Sequence, residues 1–294
     1  MNLANNEFYL KIQELANIKG YSITITDFIS SGENERGLAS HYVDYQQRKI
    51  IISIPQDHSE KEALFVHELI HAELFLNGYP RILRSPEFKY SEQDNMLADE
   101  IENMAHHFLL YPRMRELGYM HSKENDKFLE KVKKEIDIVN KGPAAIEAAF
   151  NVLEADYRDY EKFKVLDPSF EKKNPQVYSL YRRFKRLYSI SNNPSNMRRA
   201  ILSVIKEVQN KAKKEAGITL NYNFLFSVPP IPTDYEKEQF CSKFYTIGKI
   251  PNTKHHYIFD KRDNQCCNIL NGNTYSLQEV QNMLNEKKVK ELFN

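Results

Sequence analysis

The sequence has no tryptophan, only three cysteines (Cys241, Cys266 and Cys267) and no long apolar run. An odd and small number of cysteines argues against an extracellular disulfide scaffold, and the adjacent pair does not have zinc-ligand spacing. No run approaches the roughly 20 apolar residues of a membrane helix, and residues 1–20 lack the apolar segment of a signal peptide. These absences predict a cytoplasmic protein that does not span a membrane.

The sequence also lacks a large excess of positive or negative charge, because the 294 residues carry a formal net charge of +1. Such a chain has no general electrostatic attraction to nucleic acid or to anionic membranes. The region 162–215 is locally basic and contains several tyrosines, a combination that nucleic-acid-binding surfaces share. Since the rest of the chain balances this charge, we interpret the region as solvated helices with inward-facing aromatic side chains. Nucleic acid is therefore not the favoured partner.

Strand patterns occur early in the chain. Tyr21–Asp27 alternates β-branched and polar residues, and His41–Tyr45 and Lys49–Ile54 form a probable hairpin. The second arm of the hairpin is the more apolar, so we expect it deeper in the sheet and the first arm near an edge. An apolar helix follows, for which Ser59 and Glu62 predict a capping box and Gly78 predicts the end. This order predicts a small sheet with a buried helix packed against it.

The remainder of the chain predicts an α+β fold with a mostly helical middle. Helical patterns dominate residues 122–216, where prolines at 143, 168, 175 and 194 divide the region into about four helices. Beyond the proline-rich segment 228–232, short strand-like runs and a helix from Ser276 indicate a small α+β piece. We therefore predict a first domain of sheet and helix in residues 1–120, a helical region in 121–218 and a C-terminal α+β domain in 219–294.

The central motif of the sequence is His67-Glu68-x-x-His71. Residues four apart on a helix share one face about 6 Å apart along the axis, so the two imidazoles can converge on one metal ion. Zinc accepts histidine nitrogen at about 2.0–2.1 Å. Glu68 points to the flank of that face, where a carboxylate can reach metal-bound water as a general base. The motif predicts a zinc site with His67 and His71 as ligands and Glu68 as catalytic base.

The alternative for this motif is a pair of core histidines that bind no metal. The surrounding residues Leu64, Val66, Leu69, Ile70 and Leu74 are apolar, so the helix is expected to be buried almost all round. Burial of two histidines and a glutamate without a metal would cost free energy. The metal site is therefore the preferred interpretation.

A catalytic zinc site usually has three protein ligands, so one more must come from elsewhere. The next helix, predicted for 95–111 and broken by Pro112, is rich in candidates: Asp99, Glu100, Glu102, His106 and His107. Around a core stripe centred on Ile101, Asp99 points about 160° away and His106 nearly as far, both towards solvent. Glu100 and His107 share one flank, about two turns apart, and we expect one to be the ligand and the other a supporting residue.

Our first choice for the third ligand is Glu100, with His107 as the alternative. Glu102 and Asp99 remain open, and each of these carboxylates has the alternative of being an ordinary solvated helix residue. An oxyanion-stabilising donor is also expected at such a site, for which His41, His107 and Tyr111 are candidates that the sequence does not rank.

Residues 21–119 resemble a zincin metallopeptidase, because a carboxylate-bearing helix follows the two-histidine motif. The hairpin, the motif helix and the second helix ending in Leu109-Leu-Tyr-Pro112 are similar in order to the ImmA/IrrE-like family. The resemblance implies His67 and His71 as ligands, Glu68 as base and a cytoplasmic protease that cleaves a DNA-binding regulator. Counting back from Pro112, Asn103 agrees with the family pattern, whereas Asp99 stands in place of its ligand glutamate.

Together these observations predict a zinc-dependent metallopeptidase, an endopeptidase in preference to an exopeptidase, that hydrolyses a protein or peptide substrate. The alternative is a regulatory or DNA-associated module that keeps the zincin fold and the metal without cutting. A third hypothesis is an interaction protein whose histidine pair holds no metal. The substrate, the cleavage preference and the oligomeric state do not follow from the sequence.

Overall fold

The computed structural model describes residues 6–29, 39–84, 90–119, 122–138, 143–217, 219, 221–248 and 253–293. It confirms the predicted α+β class, with a helical middle and a small C-terminal region of sheet and helix. The chain forms two compact units, each built from three separate segments. The first unit comprises 1–79, 106–138 and 151–173; the second comprises 80–105, 139–150 and 174–294.

The sheet of the first unit has the strand order β1-β3-β2, formed by Ser22–Phe28 (β1), Lys49–Pro55 (β3) and Ser40–Asp44 (β2). The central strand β3 pairs in parallel with β1 and antiparallel with β2, which places His41 opposite Ile52. Alternate side chains of β3 point into the core, since Ile50, Ile52 and Ile54 are fully buried. The predicted hairpin and the predicted edge position of its first arm are thus confirmed.

Two helices pack with this sheet in the core of the first unit. Helix α1 (Glu7–Ile18) is capped by the Asn6 side chain, and helix α2 (Lys61–Leu76) is buried along nearly its whole length. The predicted capping box of α2 is wrong, because the helix begins one residue later than the box requires. Glu60 is its N-cap and makes no side-chain cap, and the Glu62 carboxylate accepts a hydrogen bond from the Tyr119 hydroxyl instead.

Helix α3 (Glu92–Glu116) contradicts the predicted break at Pro112, because the helix continues through this proline for another turn. An interior proline costs about 3 kcal/mol. Leu110 and Met114, on either side of it, are almost completely buried, and burial of such side chains contributes roughly 1.5–3 kcal/mol each. Tertiary burial therefore offsets the cost. The helix ends at Glu116, and Gly118 just beyond it has a positive φ of 78°, which glycine adopts readily.

Six helices occupy the described part of 122–216, more than the four or so predicted. They are α4 (Ser122–Ile136), α5 (Pro143–Arg158), α6 (Tyr160–Phe163), α7 (Asp167–Lys173), α8 (Pro175–Tyr188) and α9 (Pro194–Ala216). The prolines act as predicted, because Pro175 and Pro194 begin α8 and α9 directly after the capping residues Asn174 and Asn193. The aromatic side chains of α8 also point inward as predicted, since Tyr181, Phe184 and Tyr188 are buried.

The C-terminal part of the second unit contains a three-stranded antiparallel sheet, β6-β7-β8. The remaining helices and strands of the described chain, in chain order, are β4 (Leu83–Arg84), α10 (Tyr222–Leu225), β5 (Phe226–Ser227), α11 (Asp234–Lys237), β6 (Tyr245–Gly248), β7 (His256–Asp260), β8 (Cys266–Leu270), α12 (Leu277–Glu286) and α13 (Val289–Leu292). The predicted terminal helix is confirmed as α12, with Ser276 and Glu279 forming a capping box. Strand β8 was not predicted, because its CCNIL sequence has no alternation.

The domain boundaries predicted at residues 120 and 218 stay a prediction, because each compact unit is built from separate segments of the chain and not from one continuous stretch. Residues 219–294 fall within one unit, whereas residues 1–120 are divided between both. Among the described residues, no helix combines the length and the apolar character needed to cross a membrane.

A buried ion network joins two parts of the second unit. The Asp260 side chain is fully buried and accepts hydrogen bonds from Nε and Nη2 of Arg262 at 2.8 and 2.6 Å. Arg198 lies 3.6 Å from the same carboxylate and donates to Asp263 at 2.6 Å. Burial alone would raise the pKa of Asp260, but the hydrogen bonds from Arg262 and the two guanidinium charges hold it below the ordinary value.

We expect Asp260→Asn to lower the free energy of unfolding at pH 7 by roughly 1.5–3 kcal/mol, because it removes the fully buried charge that accepts the hydrogen bonds of Arg262, whereas Asp263 and Glu236 still pair with the two arginines. A depressed carboxyl pKa stabilises the fold above the unfolded pKa of about 3.9 and loses that effect as the pH falls through the folded pKa. The difference between variant and parent in denaturant titrations should therefore shrink at pH 3. The exposed Asp234→Asn serves as control and should leave the midpoint unchanged; equal effects of both variants would contradict the network.

Candidate functional site

Helix α2 presents the motif side chains on one buried face in the first unit. His71 and Glu68 are almost completely buried, and His67 is partly buried. The Nε2 atoms of His67 and His71 lie 3.3 Å apart. Two nitrogens bound to one tetrahedral zinc ion at about 2.0–2.1 Å would lie roughly 3.3 Å apart. The pair is thus spaced as two ligands of a single ion, in agreement with the predicted helical geometry of the motif.

His107 of α3 completes a group of three histidines with this pair. One nitrogen from each of His67, His71 and His107 lies within 4.8 Å of the other two. Glu100 belongs to no such group among the described residues. It lies seven residues before His107, about 10.5 Å along the helix, so only one of the two can reach the motif. The structure therefore brings together the alternative third ligand, and not the first choice, with the histidine pair.

His107 is held in one orientation by a carboxylate that the sequence did not predict. Its Nδ1 lies 2.6 Å from Oε2 of Glu154 on α5, and both side chains are buried. Because a carboxylate accepts, Nδ1 carries the proton and Nε2 keeps its lone pair. The Nε2 atom is buried and has no hydrogen-bond partner among the described residues. A histidine that donates to a carboxylate and turns its other nitrogen to a shared point is the usual arrangement of a metal ligand.

Glu154 collects two further donors, the Tyr111 hydroxyl and Nε of Arg158, the latter at 2.7 Å. Burial alone would raise the pKa of Glu154, but its electrostatic attraction to His107 and Arg158 and the hydrogen bonds from His107 and Tyr111 hold the pKa well below its ordinary value. Burial and the neighbouring Glu154 raise the pKa of Tyr111 well above its ordinary value, against the opposing charge of Arg158. The tyrosine is consequently a neutral donor, and Glu154 is an ionised acceptor beneath the three histidines.

His71 is supported in a similar way by His106. Their Nδ1 atoms lie 3.2 Å apart, so one donates to the other. Burial lowers the pKa of His71 well below its ordinary value, and the charges of His41, His67 and the α3 histidines lower it further. A neutral imidazole is the form that binds metal.

The prediction that His106 points towards solvent is wrong, because His106 is only 1% exposed. Helix α3 is buried on more than one face between Ile101 and Tyr111, so a single core stripe does not describe it. Asp99, by contrast, is exposed as predicted and pairs with Arg84. Glu102 is a buried ion-pair partner, since it accepts hydrogen bonds from Arg81 and from the backbone of Ile82.

His41 of the edge strand β2 contacts the motif from the side of the sheet. Its Nδ1 lies 2.7 Å from Oε2 of Glu68, and its ring stacks on His71 with a centroid distance of 4.6 Å. Nε2 of His41 is buried and has no hydrogen-bond partner among the described residues. His41, Glu68 and His71 form the second group whose ligand atoms lie within 4.8 Å of one another. All three candidate helper residues, His41, His107 and Tyr111, therefore lie at this site.

Glu154 and Arg158 were not among the site residues predicted from the sequence. A usable signal was present, because Glu154 interrupts an apolar helical stretch and Arg158 follows it at the i+4 position, where the two side chains are neighbours on one face. Neither histidine group contains a cysteine, His255 or His256, among the residues that the structure describes. All three cysteines are buried free thiols.

These side chains can perform two chemical tasks. The three-histidine group supplies nitrogen donors of the kind and number that a catalytic metal ion takes, and Glu68 supplies a carboxylate beside them. Comparisons of the chain with protein-family models, with curated proteins and with solved structures find no match.

Proposed function

We propose that this protein is a zinc-dependent metallopeptidase that binds one Zn²⁺ through His67, His71 and His107 and uses Glu68 as general base. The observation that carries the proposal is that three histidine nitrogens lie within 4.8 Å of one another. The Glu68 carboxylate lies beside them, because Glu68 and His71 belong to the second such group. The resemblance of residues 21–119 to zincins and to the ImmA/IrrE-like family points in the same direction. The site differs from that resemblance in its third ligand, which here is a histidine supported by Glu154.

The donor set fits zinc on three grounds. Three imidazoles with an open fourth position are a known catalytic zinc arrangement. The 3.3 Å between the motif nitrogens is the separation that one tetrahedral ion requires. His107 has its Nε2 lone pair buried and unpartnered within the described chain, and its proton held on Nδ1 by Glu154. When bound, zinc would polarise the scissile carbonyl and lower the pKa of water at the site.

The residues of the chain then divide the proton transfers among them. Glu68 accepts a proton from the attacking water on a carboxylate oxygen and returns it to the nitrogen of the leaving amine. His41 holds Oε2 of Glu68 at 2.7 Å and so leaves the other oxygen, Oε1, to face the reacting water. Tyr111, neutral through its raised pKa, keeps Glu154 and with it His107 in position.

A protein or peptide in extended conformation is the substrate that the surroundings of the site favour. Strand β2 lies at the edge of its sheet, and an edge strand can pair with an extended chain through backbone hydrogen bonds. His41 stands on this strand and contacts Glu68, so a chain paired with β2 would run past the base. The neighbouring Tyr42 is 62% exposed and offers a side-chain contact on the same strand. This arrangement favours internal cleavage over removal of terminal residues.

The three free cysteines favour the reducing cytoplasm as the place of action, in line with the sequence-based expectation. A regulatory protein is the substrate class that the family resemblance implies, and no feature of the site selects one sequence over another.

A second candidate function is a zinc-binding regulatory module that does not cut. The observation that favours it is the hydrogen bond between His41 and Glu68, which occupies one oxygen of the proposed base. The two functions make different demands on Glu68, because a binding module needs only the histidines.

Matched substitutions on α3 distinguish the two candidates for the third metal ligand, His107 and Glu100. We expect the purified chain to contain about one zinc ion, since a catalytic site holds a single ion. His107→Ala should reduce the zinc content to well below one per chain, whereas Glu100→Ala should retain it. Elemental analysis after dialysis measures both. Retention by His107→Ala together with loss by Glu100→Ala would assign the third ligand to Glu100.

The role of Glu154 can be measured through zinc affinity in competition with a chelator. Glu154→Gln keeps a hydrogen-bond acceptor for His107 but removes the charge, and we expect it to weaken zinc binding by about 10–100-fold. Glu147→Gln, on the exposed side of the same helix, is the control and should bind zinc as the parent does. Circular dichroism of both variants checks that α5 stays folded. Equal affinities would show that the carboxylate does not support the ligand.

The catalytic proposal is tested by Glu68→Gln, which removes the base and keeps the side-chain shape. With a mixed peptide library and detection by mass spectrometry, we expect hydrolysis to fall by about 10²–10⁴-fold while zinc stays bound. Glu73→Gln lies on the same helix outside the histidine groups and should retain activity. If the parent protein binds zinc but cleaves no peptide of the library and no denatured protein, the regulatory module is the better account.

A further inference from the structure

A polar groove of about 1120 Å³ runs along helix α9 in the second unit. One wall is formed by α9 from Ser195 to Lys213, and the other includes the turn Lys261–Gln265 after β7. The opposite face of α9 is buried, since Met197, Ile201 and Val208 lie in the interior. The groove therefore follows the solvent-facing side of a helix that the core holds in place.

Three cationic side chains on α9 face this groove at a regular interval. Arg199, Lys206 and Lys213 are exposed and line the groove, each seven residues after the last. Seven residues are close to two helical turns, so the three side chains lie on one face about 10.5 Å apart and span about 21 Å. Within the described part of the chain, none of the three has an ion-pair or hydrogen-bond partner for its charged group.

The acidic residues of the groove do not neutralise these cations, because each is already paired. Asp263 accepts from Arg198 at 2.6 Å, and Glu236 accepts from Arg262 at 2.7 Å. Within each pair, the positive and the negative charge offset each other on the wall of the groove. Lys261, on the other wall, donates to the backbone carbonyl of Ser242. The stripe formed by Arg199, Lys206 and Lys213 is consequently uncompensated charge on α9, although the chain as a whole is nearly neutral.

The remaining lining is of the type that contacts phosphates. Hydroxyl and amide side chains also line the groove, among them Ser195, Asn210 and Thr219. Phosphate oxygens of nucleic acids are contacted by arginine, lysine and these uncharged polar side chains. No aromatic residue is among the described side chains that line the groove, so the stacking surface that single-stranded nucleic acid uses is missing.

We propose that this groove binds the sugar–phosphate backbone of a double-stranded nucleic acid without reading its sequence. Over a straight span of about 21 Å, each of the three cations can meet one phosphate of a duplex backbone. The three cations of α9 would contact phosphates along this span, and the hydroxyl and amide groups would donate to further oxygens of the backbone. None of these residues belongs to the proposed zinc site, because they all lie in the second unit and the residues of that site lie in the first.

Fluorescence anisotropy with labelled 20-base-pair duplexes of arbitrary sequence tests the proposal on the full-length protein. With three phosphates neutralised, the logarithm of the association constant should fall with the logarithm of the salt concentration with a slope of about −2.7. Arg199→Gln/Lys206→Gln/Lys213→Gln should weaken binding by roughly tenfold or more and bring the slope close to zero. Parallel titrations with duplex DNA and duplex RNA show which of the two nucleic acids supplies the phosphodiester backbone that the groove binds.

The matched control removes the same amount of charge outside the groove. Arg182→Gln/Arg186→Gln/Lys214→Gln changes three exposed cations of α8 and α9 that do not line it and should bind like the parent. Equal weakening in both triple variants would overturn the assignment to the groove. Tighter binding of a poly-glutamate peptide or of a single-stranded 20-mer than of the duplex would overturn the assignment to a duplex backbone.

Discussion

The geometry of the candidate metal centre depends on one buried carboxylate. Glu154 accepts hydrogen bonds from His107, Tyr111 and Arg158 in a place that water does not reach, and this set of donors keeps it ionised. Without that fixed negative charge the His107 ring would lose both its orientation and its preferred tautomer. The direction in which Nε2 points, towards the pair on α2, is thus set by a residue 47 positions later in the chain.

The part of the site that a local spacing encodes could be predicted. His67, Glu68 and His71 lie within five residues on one helix, and helical geometry alone places the histidines together. His107 could be nominated as a candidate but not selected over Glu100, because the choice depends on which turn of α3 meets α2. Glu154 and His41 come from distant segments, and no periodicity connects them to the motif.

The two errors on α3 have one physical cause. The local cost of a proline predicted that Pro112 would end the helix, and a single buried face predicted that His106 would be solvated. In the structure the helix is buried on several faces between Ile101 and Met114. Tertiary burial there outweighs the local cost of a proline and offers the polar His106 a partner in His71. Local rules failed where the environment of the helix, not its sequence, decided the outcome.

The interleaved course of the chain through the first unit has a consequence for protein synthesis. This unit takes its segments from 1–79, 106–138 and 151–173, so the nascent chain releases the two-histidine motif long before Glu154 and Arg158 leave the ribosome. Until then the α2 histidines lack the carboxylate that orients their third partner. The candidate centre can therefore assemble only after about half of the chain has been made, and a chain interrupted before residue 154 carries the motif without Glu154.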